Sequence, residues 1–326
     1  MRRMASFERD GTNAHRLVHG ASSSMPGFYV DRFGPALLAQ SSSGLKNEWR
    51  DWLLKVGELS HQRKDVTSIR SIYFKQLDRE VRGNAPEDAS PKMLLGDKSE
   101  TEWGVRENDL SFRIRFDEGY SVGLFPDMRE NRKRILDRNA GPGIRMHAHL
   151  SEGAEVLNTF SYTCAFSVAC AKTGARVTSL DLSKKYLDWG RENFEANGLD
   201  PKEHDFIFGD CFDWMKRLAK KGRKFDFLIL DPPTFSKSKA SGLFKATRDY
   251  GKLAELAGVL IKKGGVLLAC TNAAQYAEKD FIKNVRSGLS KAGRKIERII
   301  PSPVQQDFRV SEEEPPYLKA IWMRLD

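Results

Sequence analysis

The segment Asp231-Pro-Pro-Thr-Phe-Ser-Lys-Ser-Lys239 follows a strongly apolar run and has the residue types of a loop that positions a reactant. Pro232 and Pro233 fix a rigid turn and supply no backbone N–H, so they would hold the Asp231 carboxylate in one place. The ring of Phe235 can stack on an extruded planar base, a contact worth about 1–3 kcal/mol in single-stranded nucleic-acid sites. We interpret these four residues as candidate catalytic residues.

Carboxylates also follow other predicted strands of the same region. Asp181 ends the predicted strand Arg176 to Asp181, and Asp210 follows the predicted strand Asp205 to Gly209. In an open α/β sheet, ligands bind at the carboxyl ends of the strands, so we expect these carboxylates to share one edge with Asp231. The structural alternative is that each strand-end Asp caps the following helix.

The loop after the first strand, Asn158-Thr-Phe-Ser-Tyr-Thr-Cys-Ala-Phe-Ser167, indicates which cofactor this edge would bind. It contains no glycine, whereas a dinucleotide pyrophosphate needs the close backbone approach of GxGxxG. A carboxylate about 20 residues beyond such a loop is placed to bind a ribose diol. A cofactor with an adenosine and no phosphate fits this pattern, and S-adenosylmethionine is the common one.

We therefore assign cofactor-binding roles along this edge. Asp181 would bind the ribose, Asp210 and Cys211 would receive the adenine amine, and Leu182 would pack on the ring. The full set of predicted cofactor contacts in this region is Phe160, Tyr162, Thr163, Ala165, Asp181, Leu182, Ser183, Asp210, Cys211 and Asp231.

Strands that alternate with helices from about residue 109 predict a parallel sheet with crossover helices. The fold class is therefore α/β, with a Rossmann-like sheet in a catalytic domain at 109–326. Residues 1–108 are broken into short pieces by Gly, Ser and Pro, which predicts a small N-terminal α+β domain. Within it we expect a hairpin over 25–40, a helix over 47–59, a strand over 68–77 and a polar, mobile loop over 83–92.

Charge is distributed unevenly along the 326 residues. The whole chain has 54 Lys and Arg against 44 Asp and Glu, a net charge of +10. Residues 1–110 carry +1 of this and residues 111–326 carry +9. A positive excess around the predicted catalytic domain favours a nucleic-acid partner.

The four cysteines form neither a CxxC pair nor a Cys/His cluster, which argues against a disulfide framework and against a metal site. The first ten residues lack the apolar segment of a signal peptide. The longest uncharged run, 156–171, is too short and too polar to span about 30 Å of hydrocarbon. We expect a soluble cytoplasmic protein that binds no membrane and no metal.

Four segments together resemble the class I S-adenosylmethionine-dependent methyltransferases of large-subunit (23S) ribosomal RNA. They are the 158–167 loop, the 231–239 loop, Asp127-Met-Arg-Glu-Asn-Arg132 and Ser179-Leu-Asp-Leu-Ser-Lys-Lys-Tyr-Leu-Asp-Trp189. The residues of these segments are most similar to those of the guanine-N7 enzymes, and a sibling group of the family modifies cytosine carbon 5. Residues 13–20 and 25–34 resemble the small domain that precedes the catalytic domain in those proteins.

This resemblance implies further roles. The helix start at Asp127 would lie over the methionine end of the cofactor, with Arg129 near its carboxylate. Asp127 and Glu130 also form a capping-box pattern, which predicts Asp127 as the N-cap. Cys164 stands where the family usually has a glycine, so the first loop must accommodate a Cβ. Relatives usually begin with an RNA-binding PUA domain, which we do not expect in this chain.

The sequence favours a methyltransferase acting on guanine N7 of 23S rRNA or of a ribosomal assembly intermediate. An alternative target is cytosine carbon 5, for which Cys270 would be the nucleophile that adds to carbon 6. The alternative for Cys270 is a small buried hydrophobic residue. Two alternatives come from other functional classes. The chain could be a catalytically weak RNA-binding assembly factor or a small-molecule methyltransferase.

Overall fold

The computed structural model describes residues 11–61, 68–77, 89–97, 101–119, 121–238, 242–312, 314 and 316–326. The chain divides into two compact units. The first comprises Met1–Arg129 and Val304–Pro315, and the second comprises Glu130–Pro303 and Pro316–Asp326. This division differs from the boundary expected at residue 108. Within the first unit, Asn13 N donates to Arg106 O at 2.9 Å and Asn108 N donates to the Thr12 hydroxyl at 2.9 Å, which ties residues 102–108 to its first strand.

The first unit contains a five-stranded sheet and a separate two-stranded hairpin. Its strands are β1 (Ala14–His19), β2 (Phe28–Phe33), β3 (Ala36–Ser41), β4 (Ser71–Gln76), β5 (Lys92–Leu95), β6 (Glu102–Glu107) and β7 (Leu110–Arg115). The order is β1-β2-β3-β4-β5, with β3 and β4 parallel and the other neighbours antiparallel. The predicted hairpin is confirmed, because β2 pairs antiparallel with β3 from Phe28 opposite Ser41 to Phe33 opposite Ala36.

One helix, α1 (Asn47–His61), covers this sheet, as its apolar spacing predicts. Trp49 is 4% exposed and stacks on Phe28, with ring centroids 4.6 Å apart. The predicted strand over 68–77 is confirmed by β4. The predicted polar loop lies mostly outside the described residues, since its positions 83–88 are not among them.

The second unit contains a seven-stranded sheet and two separate two-stranded hairpins. Its strands are β8 (Asn139–Gly141), β9 (Ile144–Arg145), β10 (Glu155–Thr159), β11 (Arg176–Asp181), β12 (Asp205–Phe208), β13 (Phe225–Leu230), β14 (Phe235–Ser238), β15 (Gly242–Lys245), β16 (Ile261–Thr271), β17 (Ile296–Pro301) and β18 (Lys319–Leu325). The large sheet has the order β12-β11-β10-β13-β16-β18-β17, while β8-β9 and β14-β15 form hairpins. Six of the seven strands run in the same direction, and β18 runs opposite to them, antiparallel to both β16 and β17.

Crossover helices connect the strands of this sheet. They are α3 (Ala165–Lys172), α4 (Lys184–Glu195), α5 (Cys211–Lys220), α6 (Ala246–Leu260) and α7 (Glu278–Lys291), while a further helix, α2 (Arg129–Leu136), precedes the sheet. On one face, Leu228 and Leu267 of the sheet pack in one buried cluster with Leu253 and Phe281 of the helices. On the other face, Phe227 stacks on Trp322, with ring centroids 5.5 Å apart. The predicted alternation of strands and helices is confirmed.

The start of α2 differs from the prediction. A short 3-10 turn, Pro126–Met128, precedes the helix, and its N-cap is Phe125, not Asp127. The predicted capping box is therefore wrong. The ring of Pro126 holds φ near the helical value, which favours a turn that starts at this residue, one position before Asp127.

Across the part of the chain that the structure describes, none of the helices has both the length and the apolar character needed to cross a membrane.

Candidate active site

The carboxyl ends of the central strands meet at one edge of the seven-stranded sheet. Thr159, the last residue of β10, lies between Leu180 of β11 and Leu230 of β13. Leu230 in turn lies beside Ala269 of β16. Chain order reverses between β10 and β13, and such a switch point is where α/β sheets bind ligands. The predicted edge is therefore present, with the 160–164 loop, Asp181 and Asp231 following directly from these strand ends.

The loop between β10 and α3 has an unusual backbone. Phe160, Tyr162 and Cys164 all have left-handed conformations, with φ of +55°, +50° and +63°. Residues with a Cβ adopt this region at a cost of about 1–2 kcal/mol each, so surrounding contacts must hold them there. The backbone N–H of Ser161 donates to Leu180 O at 3.1 Å, which fastens the loop to β11.

Cys164 is accommodated by a glycine on the neighbouring helix. The thiol is fully buried, and a Cβ built on Gly190 of α4 would lie 2.4 Å from its sulfur. Asn193, one turn further along α4, donates to Thr163 O at 2.9 Å. The absent side chain at Gly190 therefore provides the space that a cysteine requires in this position of the loop.

Asp181 is held by the backbone on both oxygens. Tyr162 N donates to Oδ2 at 2.8 Å, and Ser183 N donates to Oδ1 at 2.8 Å. Burial raises the pKa of this carboxyl above its ordinary value, while the hydrogen bonds from the backbone act in the opposite direction. Each carboxylate oxygen has a second acceptor position, so Asp181 can still accept hydrogen bonds from a diol.

The other predicted residues around the adenosyl position have mixed surroundings. Leu182 is 40% exposed and Ser183 caps α4 by accepting from Tyr186 N. Asp210 caps α5, since its Oδ1 accepts from Asp213 N at 3.0 Å, and its predicted contact with adenine stays a prediction. Cys211 is buried, and burial raises its thiol pKa well above the ordinary value.

Asp231 and the two prolines continue directly from β13, and two tethers hold this loop. The Tyr250 hydroxyl of α6 lies 3.1 Å from Leu230 O and 2.7 Å from Cys270 O, joining the ends of β13 and β16. The Thr234 hydroxyl donates to Asn272 Oδ1 at 3.0 Å. These contacts position the main chain on both sides of Asp231.

A hairpin formed by β14 and β15 follows the prolines and has two different faces. Phe235 pairs with Lys245 and Lys237 pairs with Leu243, so these four side chains share one face. Phe235 and Leu243 are 49% and 54% exposed. Phe244 projects from the other face and is 5% exposed.

Phe244 fastens this hairpin to the cofactor edge. Its ring centroid lies 6.1 Å from that of Phe160 and 5.7 Å from that of Phe212. The predicted stacking residue Phe235 is thus presented to solvent by a hairpin whose inner face is anchored beside the 160–164 loop.

Cys270 lies inside β16 and has no exposed surface. Leu267 and Ala269 of the same strand face the α6–α7 cluster, so Cys270 lies on the opposite, also buried, face of the sheet. The environment is that of a small buried hydrophobic residue.

Arg129 makes a buried ion pair. Its guanidinium donates to the two carboxylate oxygens of Asp307 at 2.7 and 2.9 Å, and both side chains are 3% exposed. The cofactor contacts assigned to Asp127 and Arg129 stay predictions.

The residues at the sheet edge fit an adenosyl ligand that has no phosphate. Asp181 offers a carboxylate for the diol, and Leu182 offers apolar surface beside it. The N–H of Tyr162, which a pyrophosphate loop would direct at its ligand, is bonded to Asp181 instead. Across the described part of the chain, no group of three or more His, Cys, Asp or Glu could hold a metal ion.

Three contributors were missed in the sequence analysis. Tyr250 is fully buried on the apolar face of α6, and a lone hydroxyl on such a face was the available signal. Phe244 alternates with exposed residues in a short strand, a pattern that was hidden by the polar loop before it. Gly190 carried no signal in the sequence, since its role depends on the distant Cys164.

Comparison with known proteins agrees with this geometry. The model of the S-adenosylmethionine-dependent methyltransferase family matches residues 77–309. A ribosomal RNA large subunit methyltransferase of Deinococcus radiodurans is 30% identical over 318 residues, covering 97% of this chain and 73% of the relative. Ribosomal RNA large subunit methyltransferase I of Aeromonas hydrophila is 31% identical over 329 residues, covering 98% and 76%.

A solved methyltransferase structure complexed with SAH superimposes with a TM-score of 0.80 at 27% identity, covering 99% of this chain and 78% of that one. The cofactor, S-adenosylmethionine, and the Rossmann-like α/β fold that the sequence predicts are both confirmed. The chain is an enzyme that belongs to the class I family of S-adenosylmethionine-dependent methyltransferases, the family of the ribosomal RNA large subunit methyltransferases to which it is similar.

Proposed function

We propose that this enzyme methylates a nucleobase of RNA, and that its target is guanine N7 in large-subunit ribosomal RNA. Its similarity to ribosomal RNA large subunit methyltransferases supports an RNA substrate. The observation that carries the proposal for a base is the exposed Phe235, two residues after the paired prolines and 49% exposed. A base must leave its stack to reach such a site, and an exposed aromatic ring stabilises it once extruded.

The face that carries Phe235 also has the charge that RNA requires. Lys245 lies opposite Phe235 in the hairpin, with its ammonium 5.9 Å from the ring centroid. Lys237 is exposed on the same face. An aromatic ring beside two ammonium groups is typical of single-strand binding, in which bases stack and lysines contact phosphates.

Two further basic residues of this segment, Lys239 and Arg248, do not add to this argument. Arg248 is occupied by Asp249, with a shortest distance of 2.7 Å, and donates to Leu243 O at 2.6 Å. This arginine therefore stabilises the hairpin. Lys239 lies outside the described residues.

Guanine N7 is favoured over cytosine carbon 5 by the state of the cysteines. Attack on carbon 6 of cytosine needs a thiolate that can reach the base. All four cysteines are buried, and Cys270 has no exposed surface. Burial raises the pKa of Cys164 to about 12 and that of Cys211 well above its ordinary value, so neither is a thiolate near neutral pH.

In the proposed reaction, the residues of the chain act mainly by positioning the reactants. When bound, S-adenosylmethionine supplies an electrophilic methyl group. Guanine N7 carries a lone pair and no proton, so no residue must act as a general base. Asp181 would hold the ribose, Phe235 would stack on the base, and the tethers from Tyr250 and Thr234 would keep Asp231 in place.

The target atom is tested by mass spectrometry of rRNA nucleosides from a strain that lacks the gene. Loss of 7-methylguanosine, restored by the wild-type gene, is the expected result. Restoration by a Cys270→Ser variant is also expected, because N7 methylation forms no adduct with a thiol. Loss of 5-methylcytidine, with no restoration by Cys270→Ser, would contradict the guanine proposal.

The base-stacking role is tested with purified protein. Phe235→Ala should lower methylation of rRNA about tenfold or more while cofactor affinity stays unchanged, since stacking is worth about 1–3 kcal/mol. Leu243→Ala, on the same exposed face, is the matched control and should have a smaller effect. RNA binding without turnover by the wild-type protein would favour an RNA-binding assembly factor. Methylation of a small molecule at a rate that does not depend on salt would favour a small-molecule methyltransferase.

A further inference from the structure

Three turns of the second unit are rich in cations and lie away from the cofactor edge. They are Lys220-Lys-Gly-Arg-Lys224 before β13, Lys262-Lys-Gly264 at the start of β16, and Lys291-Ala-Gly-Arg-Lys295 before β17. Together they hold nine Lys and Arg residues and no Asp or Glu. We call them the basic turns.

The sheet brings the basic turns together. Phe225, the first residue of β13, lies beside Ile261, the first residue of β16. Ile296, the first residue of β17, pairs with Leu325 of β18, whose neighbour Arg324 pairs with Val266 of β16. These are the amino ends of β13, β16 and β17, so the basic turns line the edge of the sheet opposite the active site.

A single open cavity joins the three turns. Its volume is about 490 Å³, and it is lined by Lys224, Ile261, Lys262, Lys263, Arg294 and Asp326. Each turn contributes at least one cation to the lining.

Some of these cations have internal partners. Lys262 pairs with Asp226 at 2.7 Å, and Arg223 pairs with Glu155 at 3.0 Å. Arg294 pairs with Asp326 at 3.0 Å and also donates to the carbonyl oxygens of Ile261 and Lys262. These residues fold the edge together.

Four further lysines of the basic turns face solvent. Lys220, Lys221, Lys263 and Lys291 are exposed, and none of them forms an ion pair with any residue that the structure describes. Like charges gathered along one edge of the sheet repel one another, and a polyanion that binds there reduces that repulsion.

We infer that the basic turns are a second RNA-binding surface, which contacts phosphates of the substrate at the edge opposite the active site. The inference rests on the proposed function, since it requires an RNA substrate. The six residues of β13 separate the two edges by about 17–20 Å. An RNA that touches both edges therefore contacts the enzyme at phosphates well beyond the methylated nucleotide.

The test measures binding of transcribed large-subunit rRNA over a salt series. The variant is Lys220→Gln, Lys221→Gln, Lys263→Gln, whose side chains have no ion-pair partner to lose among the described residues. Three lost phosphate contacts should reduce the slope of log K against log salt by about 2–3, and affinity near 0.1 M salt should fall about ten- to hundredfold. Cofactor affinity should not change, which also verifies folding.

The matched control removes the same charge elsewhere in the second unit. Lys202→Gln, Lys279→Gln, Lys283→Gln changes three exposed lysines outside the basic turns. Equal losses in both triple variants would reduce the effect to net charge and overturn the inference, as would an unchanged slope in the first.

Two further outcomes separate the inference from the proposed function. Wild-type protein that fails to bind rRNA would contradict the proposed function itself. The first triple variant could bind rRNA as tightly as the wild type and yet lose binding to polyglutamate. That result would overturn the RNA assignment and indicate an acidic protein partner.

Discussion

Two carboxylates in different units of this enzyme are stabilised in opposite ways. Asp307, in the first unit, is 3% exposed at its side chain and is saturated by the Arg129 guanidinium and the backbone N–H of Arg16. Asp181, at the edge of the large sheet, is held by backbone N–H groups, among them those of Tyr162 and Ser183, and forms no ion pair with any residue that the structure describes.

The difference separates a structural charge from one that can bind a ligand. An ion pair buried on both sides uses its charge internally, and removing one partner leaves the other uncompensated. A carboxylate held by neutral backbone N–H groups has no cation that neutralises it, and it keeps free acceptor positions for a ligand. Burial of a carboxylate alone therefore does not identify a ligand site, whereas the type of donor that holds it does.

Removing Arg129 should produce the largest effect in this comparison. Arg129→Met leaves Asp307 buried without its guanidinium, and we expect the free energy of unfolding to fall by about 3–5 kcal/mol. Urea denaturation measures this change. The double variant Arg129→Met, Asp307→Leu should recover most of the loss, and unchanged stability in the single variant would show that the pair is not structural.

Acidic pH should destabilise the same region through His15. This side chain is 1% exposed, and burial, together with Arg32 and Arg129, lowers its pKa from 6.5 to about 4. The unfolded state therefore binds a proton between about pH 6.5 and 4 that the folded state does not, so stability falls as the pH falls through that window. The loss should be up to about 3 kcal/mol.

A His15→Gln variant isolates this contribution. The difference in unfolding free energy between wild type and variant should vary between pH 7.5 and pH 4.5 and stay constant above pH 7.5. A difference that is the same at every pH would show that His15 does not titrate with folding.

Asp181→Ala should affect cofactor binding more than folding. The ribose hydroxyls would lose a charged acceptor, so calorimetry should show S-adenosylmethionine affinity weakened by about 1–3 kcal/mol. Asp188→Ala is the matched control, since that carboxylate pairs with Lys184 and Arg191 on the surface of α4. Unchanged affinity in Asp181→Ala would remove this residue from the site.

The smallest expected effect tests how the 160–164 loop is accommodated. Alanine normally stabilises a helix relative to glycine by about 1 kcal/mol. Gly190→Ala should instead destabilise the protein by about 1–2 kcal/mol, because the new Cβ would lie 2.4 Å from the Cys164 sulfur.

The two substitutions at this contact should not be additive. In a Cys164→Gly background the clash is absent, so Gly190→Ala should become neutral or stabilising. Thermal unfolding of all four proteins gives the coupling. Additive effects on stability would show that Gly190 does not provide the space for the Cys164 side chain.

Much of the fold was predictable because its signals are local. The predicted strand Arg176 to Asp181 matches β11 at both ends, and Ser183 caps α4 as expected. Apolar periodicity, caps and turn residues act over a few neighbours, so they can be read from a single stretch of chain. The capping box at Asp127 failed at this same level, since the adjacent Pro126 starts the turn first.

The sequence by itself determined the strands, the carboxylates at their ends and the glycine-free loop, and with them the class of cofactor. Only the tertiary structure decided which charged residues pair internally and which face a ligand. Arg129 and Asp307 are 178 positions apart, and the basic turns come from three separate crossovers. Such partners are chosen by how whole elements pack, because burial and Coulomb energy depend on distance in space and not on position in the chain.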